Sequence, residues 1–208
     1  APLLRWDFTL TGDAAPAGTL SGGAVIANGR LQLPKDGAFF QSPPVPSDIR
    51  EKTLEAWVSL ASLEQGGGAA ISIQNANGNV FDAIVFAERQ PKKWMAGSDG
   101  HARTMDLEIP EEADEAGTLV HMAIVYHADN KIALFRNGEP LGQPYQPASP
   151  LVSFAAGDAR ILLGQRHTGG GRSWLTGEIK QASVYDRALS PDEVAASLRS
   201  GTAWVHRR

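Results

Sequence analysis

The run Leu119-Val-His-Met-Ala-Ile-Val-Tyr126, turned through Ala128-Asp129-Asn130 into Lys131-Ile-Ala-Leu-Phe-Arg136 and closed by Asn137-Gly138, decides the fold class. Both runs are rich in β-branched and aromatic residues, and Asn-Gly suits the two left-handed positions of a tight hairpin turn. An antiparallel meander follows. The same two-residue period recurs outward from it. Leu54, Ala56, Val58 and Leu60 alternate with Glu55, Trp57 and Ser59, and Trp57 gives the second face apolar bulk as well. Over residues 80–88, Phe81, Ala83 and Val85 fall on one side and Ile84 and Phe86 on the other, so this strand is expected to be central and covered on both faces. Leu4, Trp6, Phe8 and Leu10 predict a first strand over residues 4–10, expected to pair beside the last long one at 178–185 and so to bring the chain ends together. Shorter strands are expected at 24–27, 30–33, 69–74, 93–97 and 160–164. Pro43, Pro44 and Pro46 cannot donate to a ladder and mark an edge or connector.

One helix is predicted. Ser190 caps it, Pro191 suits its first position, Glu193 completes a capping box, Leu189 staples against Val194, and Gly201 is read as the stop. About ten strands and one short C-terminal helix, without strand–helix alternation, make an all-β fold, a two-sheet antiparallel jelly-roll sandwich. The 208 residues, 42% apolar and 20% charged, read as one domain over 1–208. A chain this long buries roughly 70% of its unfolded surface, enough to need neither metal nor disulfide. The absence of cysteine excludes thiol nucleophiles, zinc sites built on Cys pairs and redox switching. With 19 Lys plus Arg against 23 Asp plus Glu, there is no broad positive field for nucleic acid. No apolar run approaches the ~20 residues of a membrane span. The start Ala1-Pro2-Leu3-Leu4-Arg5 carries neither an initiator Met nor a signal-peptide pattern, so the chain is expected to be a piece of a larger protein.

Catalytic readings find little footing. A retaining glycosidase needs two carboxylates ~5.5 Å apart, and the strand pattern Glu-x-Asp-x-x-Glu is absent. Glu111, Glu112, Asp114 and Glu115 lie in a segment interrupted by Pro110 and Gly117 and read as a solvated loop. Asp82 and Glu88 share a strand face by parity but would stand ~20 Å apart. Neither Gly-x-Ser-x-Gly nor His-Glu-x-x-His occurs, and Gly169-Gly170-Gly171 reads as a flexible rim loop. His121, inside a strand, is expected to be structural. Calcium is a possible ligand: His127 with Asp129 and Asn130 at a hairpin tip, or Asp7, Asp99 or Asp158, could offer oxygens, though no EF-hand loop is present.

Two segments mix the groups a sugar site uses. Residues 93–103 carry Trp94, Asp99, His101 and Arg103, and residues 165–174 carry Arg166, His167, Arg172 and Trp174, both with glycines. Sugars take an aromatic ring against their C–H face and planar polar groups on their hydroxyls. Trp94 and Trp174 are equally candidates for core packing. Arg103, Arg166, His167 and Arg172 are harder to explain by packing, and an anionic ligand is one way to use them.

The strand bearing His121, followed by the strand ending in Asn137-Gly138, resembles the hairpin of laminin-G-like jelly rolls. Trp174-Leu-Thr-Gly-Glu-Ile-Lys-Gln-Ala-Ser-Val-Tyr-Asp-Arg-Ala-Leu-Ser-Pro-Asp-Glu-Val194 is similar to that family's closing strand and its tail, and Leu54-Glu-Ala-Trp-Val58 adds to the match. The fold this resemblance implies is the concanavalin A-like lectin/glucanase sandwich. More narrowly, Glu51-Lys-Thr-Leu-Glu-Ala-Trp57, Phe81-Asp-Ala-Ile-Val-Phe-Ala-Glu-Arg89, Lys93-Trp-Met-Ala-Gly-Ser98 and His121-Met-Ala-Ile-Val-Tyr-His127 resemble the module inserted in large planctomycete-type proteins. There it sits between domains of unknown function, often beside a cytochrome c-like domain. The resemblance implies an exported, cell-envelope, periplasmic or extracellular bacterial protein, and a non-catalytic module for glycan or polysaccharide. A structural or protein-interaction role stays open beside it, with a degenerate glycosidase third, because the fold hosts all three.

Overall fold

The computed structural model describes residues 1–203. In chain order its strands are β1 (Leu4–Asp7), β2 (Thr19–Ser21), β3 (Val25–Ala27), β4 (Arg30–Leu33), β5 (Phe39–Gln41), β6 (Lys52–Leu60), β7 (Ala69–Gln74), β8 (Phe81–Phe86), β9 (Trp94–Ser98), β10 (Val120–Tyr126), β11 (Ile132–Arg136), β12 (Glu139–Pro140), β13 (Arg160–Leu163) and β14 (Gly177–Tyr185), followed by helix α1 (Pro191–Ala203). They pair into two antiparallel sheets. The first runs β12-β11-β10-β6-β14-β4-β3 with β1 also on β14, and the second runs β2-β5-β13-β7-β8-β9. This is the sandwich that the alternation predicts. Strand β8 lies inside its sheet, one position from the edge.

Period-two residues of both sheets meet in one core that includes Leu54, Ile71, Ile84, Ile124, Ile161 and Val184, each with no exposed surface. Each such side chain contributes ~1.5–3 kcal/mol by burial. β6 is buried along its whole length; on its other face Thr53 Oγ1 donates to Arg187 O and accepts from Leu189 N, Glu55 meets His121, and Gly201 of α1 lies against Trp57. There Ala123, Val125, Phe135, Tyr185, Leu189 and Val194 form a second apolar cluster. The helix starts as predicted: Ser190 N donates to Glu193 at 2.9 Å and Glu193 N donates to Ser190 Oγ at 3.2 Å. Gly201 does not stop it. The helix continues through Ala203, and Gly201 lies so close to the Trp57 indole that an added Cβ would collide with the ring. The glycine serves close approach rather than termination.

The first strand ends at Asp7, whose Oδ1 accepts from Thr9 N at 3.1 Å and Thr9 Oγ1 at 2.6 Å, so Leu10 stays 45% exposed. β1 pairs with β14 as expected, Leu4 opposite Val184, while β4 takes the other half of the same edge at Gly177, Glu178 and Ile179. The expectation about the chain ends involves residues 204–208, which lie outside the described residues. Strands β2, β5 and β12 are too short and too closely flanked by Gly and Pro to show in a periodicity window. Among the described residues no helix is long and apolar enough to cross a membrane.

A buried ion pair lies inside the sandwich. Asp82 faces inward, its Oδ1 accepting from Arg103 Nε at 2.8 Å and its Oδ2 lying 2.8 Å from Lys52 Nζ of the opposite sheet.

Candidate functional site

The face of the second sheet that points away from the core carries Phe81, Ala83 and Val85 of β8, packed with Ala69 and Met95. The segment after β13 folds back over this face. Gly164, at φ 92°, turns the chain out of the sheet. Leu175 N then donates to Gly164 O at 2.8 Å and Arg166 N to Ser173 O at 2.7 Å. Thr168 pins the loop to β7: its N donates to Gln74 Oε1 and its Oγ1 accepts from Gln74 Nε2, both at 2.9 Å. His167 stacks on Phe81 with centroids 4.3 Å apart and planes 10° apart.

Between this loop and the 3₁₀ turn Asp99–His101 lies a recess of about 210 Å³, with Phe81, Glu88, Asp99, His101, Arg166 and His167 in its wall. The two sequence segments singled out for sugar chemistry therefore meet, and the structure brings together Asp99, His101, Arg166 and His167. Glu88 is the member that sequence parity misses. β8 ends at Phe86, and Ala87 adopts φ 54°, a left-handed conformation that costs a non-glycine residue ~1–3 kcal/mol. That break in alternation turns Glu88 to the outer face while Asp82 faces inward. Glu88 Oε1 takes Arg166 Nη1 at 3.0 Å and His101 Nε2 at 3.3 Å. Its Oε2 is buried without a hydrogen-bond partner, as is Arg166 Nε. Gly100 and His101, at φ 56° and 55°, put a second strained turn on the same rim.

Four sequence candidates fall elsewhere. Trp94 is 3% exposed in the inter-sheet core, edge-on to Phe86, and its Nε1 donates to Glu112 at 2.9 Å; it offers no platform. Arg103 is 2% exposed and engaged by Asp82, Asp99 and the Phe81 carbonyl. Arg172 is exposed and does not line the recess. Trp174 is half-buried, bridged through its backbone to Gln165, and also outside the recess. Burial took the two largest groups of the first segment because a sandwich interior rewards ring area and a fully paired guanidinium alike.

The electrostatics of the recess are balanced. Arg166 faces Glu88, and Arg103 faces Asp99 at 2.6 Å. Burial works to raise the Asp99 carboxyl, but hydrogen bonds from Arg103 and Phe81 N prevail and hold it below its ordinary value. Burial pushes the His167 imidazole down, and the Arg166 charge adds to this against the opposing pull of the Gly78 carbonyl. Both effects favour the neutral imidazole.

The acidic loop is solvated at Glu111, Asp114 and Glu115, as the sequence suggests, but not at Glu112. Glu112 is 7% exposed and accepts from Trp94 Nε1, from Arg136 Nε at 2.9 Å and Nη2 at 2.7 Å, and from Asp114 N at 3.2 Å. Arg136 Nη2 also reaches Asp114 Oδ2 at 2.6 Å, so two carboxylates flank one guanidinium. Burial raises the Glu112 carboxyl, yet these donors overcome it and leave it below the usual range. These donors engage both Glu112 carboxylate oxygens. Among the described residues no group of three or more His, Asp or Glu could hold a metal. The carboxylates named for calcium are engaged locally: Asp7 by Thr9, Asp129 by Lys131 N, Asp158 by Ala76 N and Asp99 by Arg103.

A laminin G family model, described as the concanavalin A-like lectin/glucanases superfamily, matches residues 35–195. No curated protein sequence matches the chain. Several solved structures share the fold. Domain 4 of AbnA, a GH43 extracellular arabinanase from Geobacillus stearothermophilus in complex with arabinotriose, superposes with a TM-score of 0.70 at 18% identity, over 94% of this chain and 97% of that one. The Ruminococcus gnavus IT-sialidase CBM40 bound to alpha2,3 sialyllactose gives 0.58 at 16% identity, over 95% and 100%. Trypanosoma rangeli sialidase in complex with sialic acid gives 0.65 at 15% identity over 95% of this chain, which spans 32% of the sialidase.

Proposed function

The chain belongs to the concanavalin A-like lectin/glucanase superfamily, and from that premise we propose that it is a non-catalytic carbohydrate-binding module of a larger, exported bacterial protein. The single observation that carries this reading is the recess beside His167. A rigid sheet, a pinned loop and two strained turns converge there on hydrogen-bonding side chains, two of which keep an unused polar atom. Loops set on a rigid scaffold are where such sandwiches place binding groups. Full-length likeness to a CBM40 and to an arabinanase domain agrees with it. The non-catalytic part of the reading is supported by Glu112, the one deeply buried carboxylate of the acidic loop, being held on both oxygens by Arg136, Trp94 Nε1 and Asp114 N.

The test is a glycan array and polysaccharide pull-down with the purified chain, beside a reducing-sugar assay on the same polymers. Binding without product release is expected, weakened about tenfold by His101→Ala, a half-exposed position whose loss removes one hydrogen bond of ~1.4 kcal/mol. Turnover abolished by one Asp or Glu substitution overturns the reading. A second reading, docking onto the parent chain, is favoured by Val25 and Ile26, 46% and 38% exposed on edge strand β3; loss of parent-chain association in Ile26→Ser would select it.

A further inference from the structure

We propose that the recess selects a neutral, hydroxyl-rich sugar unit over an acidic one, and that His167 Nε2 is the specificity-determining hydrogen-bond acceptor. This rests on the reading that the recess holds a sugar. The first ground is the pairing of charge. The guanidiniums nearest the recess are already ion-paired, Arg166 with Glu88 at 3.0 Å and Arg103, outside the wall, with Asp99 at 2.6 Å, so an entering carboxylate would meet two anions and one unused guanidinium donor, the buried Arg166 Nε. Bringing a negative charge into such a site is unfavourable.

The second ground is the tautomer. His167 Nδ1 lies 2.9 Å from Gly78 O. A carbonyl oxygen only accepts, so Nδ1 carries the proton and the neutral ring holds a lone pair on Nε2. Stacking on Phe81 fixes the plane of the ring. Gly170 passes beside Nε2 so closely that an added Cβ would collide with it, and its backbone is not in the left-handed region. A glycine is needed at this position for space alone, since a side chain there would press on Nε2. Unused capacity at the site is then mostly acceptor: His167 Nε2, the buried and unpartnered Glu88 Oε2, and Asp99, whose bonds from Arg103 and Phe81 N fall on Oδ1, against the one donor Arg166 Nε. Acceptors in excess match the O–H donors of a neutral polyol, and a sugar carboxylate has none to give.

The imidazole is faced by Phe81 of β8, by Gly78 of the turn between β7 and β8, by Glu88, by Asp99 across the recess, and by Arg166 of its own loop. His101 stands in the same wall. Protonation of His167 would turn the acceptor into a donor, so neutral-sugar binding should fall as the pH drops below the imidazole's lowered value.

The experiment compares neutral oligosaccharides, arabinotriose among them, with alpha2,3 sialyllactose and oligogalacturonate by calorimetry, and reads the His167 tautomer by ¹⁵N NMR. Expected are binding of one or more neutral sugars, at least tenfold preference over the acidic ones, and a protonated Nδ1. His167→Phe, which keeps the stack, and Gly170→Ala should each lose tenfold or more, while His167→Gln, which carries an oxygen near the Nε2 position, retains most of the affinity. Preference for an acidic sugar, an Nε2–H tautomer, or neutral binding unchanged in His167→Phe overturns this proposal and leaves the carbohydrate reading standing. Binding of no sugar of either class overturns both.

Discussion

Lys52 Nζ on β6 and the Asp82 carboxylate on β8 meet at 2.8 Å across the two sheets, with neither side chain exposed. The ammonium lies 4.1 Å from the Tyr126 ring centroid and 5.2 Å from that of Phe154. Arg103 shares the same carboxylate. Burial lowers the proton affinity of Lys52 against the pull of Asp82, because two cations and one anion in a dry interior disfavour the second positive charge.

Asp82→Ala should therefore destabilise the fold by ~3–5 kcal/mol, since it strands two buried cations. Lys52→Met leaves the Asp82–Arg103 pair intact and should change stability by less than ~1.5 kcal/mol. Urea denaturation of both variants checks this, and equal losses would show that the two cations are not redundant.

Glu112 predicts an acid-sensitive loop. Its folded-state value lies below the ordinary carboxyl value of 4.5, so the native state binds fewer protons than the unfolded chain. Its contribution is present above about 4.5 and is lost as the pH falls through the lowered value. Glu112→Gln should reduce stability at pH 7 by ~1–3 kcal/mol, leaving Arg136 with a weaker partner, and should flatten the acid limb of stability against pH. Denaturation midpoints from pH 7 to 3, taken as the difference between wild type and variant, isolate this carboxylate. Parallel curves would contradict it.

Gly201→Ala sets two effects against each other. In a helix interior alanine is favoured over glycine by ~1 kcal/mol. Against the Trp57 indole the added methyl has no room. The variant is expected to melt below wild type, and a higher melting temperature would mean that the indole moves aside freely.

Trp94→Ala should cost ~3–5 kcal/mol as a core truncation, while sugar binding measured below the lowered melting temperature stays within twofold of wild type. Binding lost in step with Arg166→Ala, at unchanged stability, would return Trp94 to the site.

Much of the fold was legible because its signals are local. Alternation in β6, β8 and β10, the Asn137-Gly138 turn and the Ser190–Glu193 capping box each act within a few residues. Half of the site was legible too: glycines beside Asp99, His101, Arg166 and His167 marked loops with surplus polar groups. Glu88 was hidden because one left-handed residue, Ala87, cancels the parity on which the reading relied.

The sequence by itself determined the longer strands, the two-sheet class, the helix start and the two segments that could carry a site. Only the tertiary structure decided which members of those segments face solvent. Arg103 and Asp82 are separated by 21 residues, and Arg136 and Glu112 by 24; whether such a pair closes depends on how the sheets stack. Periodicity reports a face, whereas burial of a charge depends on a partner brought from elsewhere in the chain, and that information is not local.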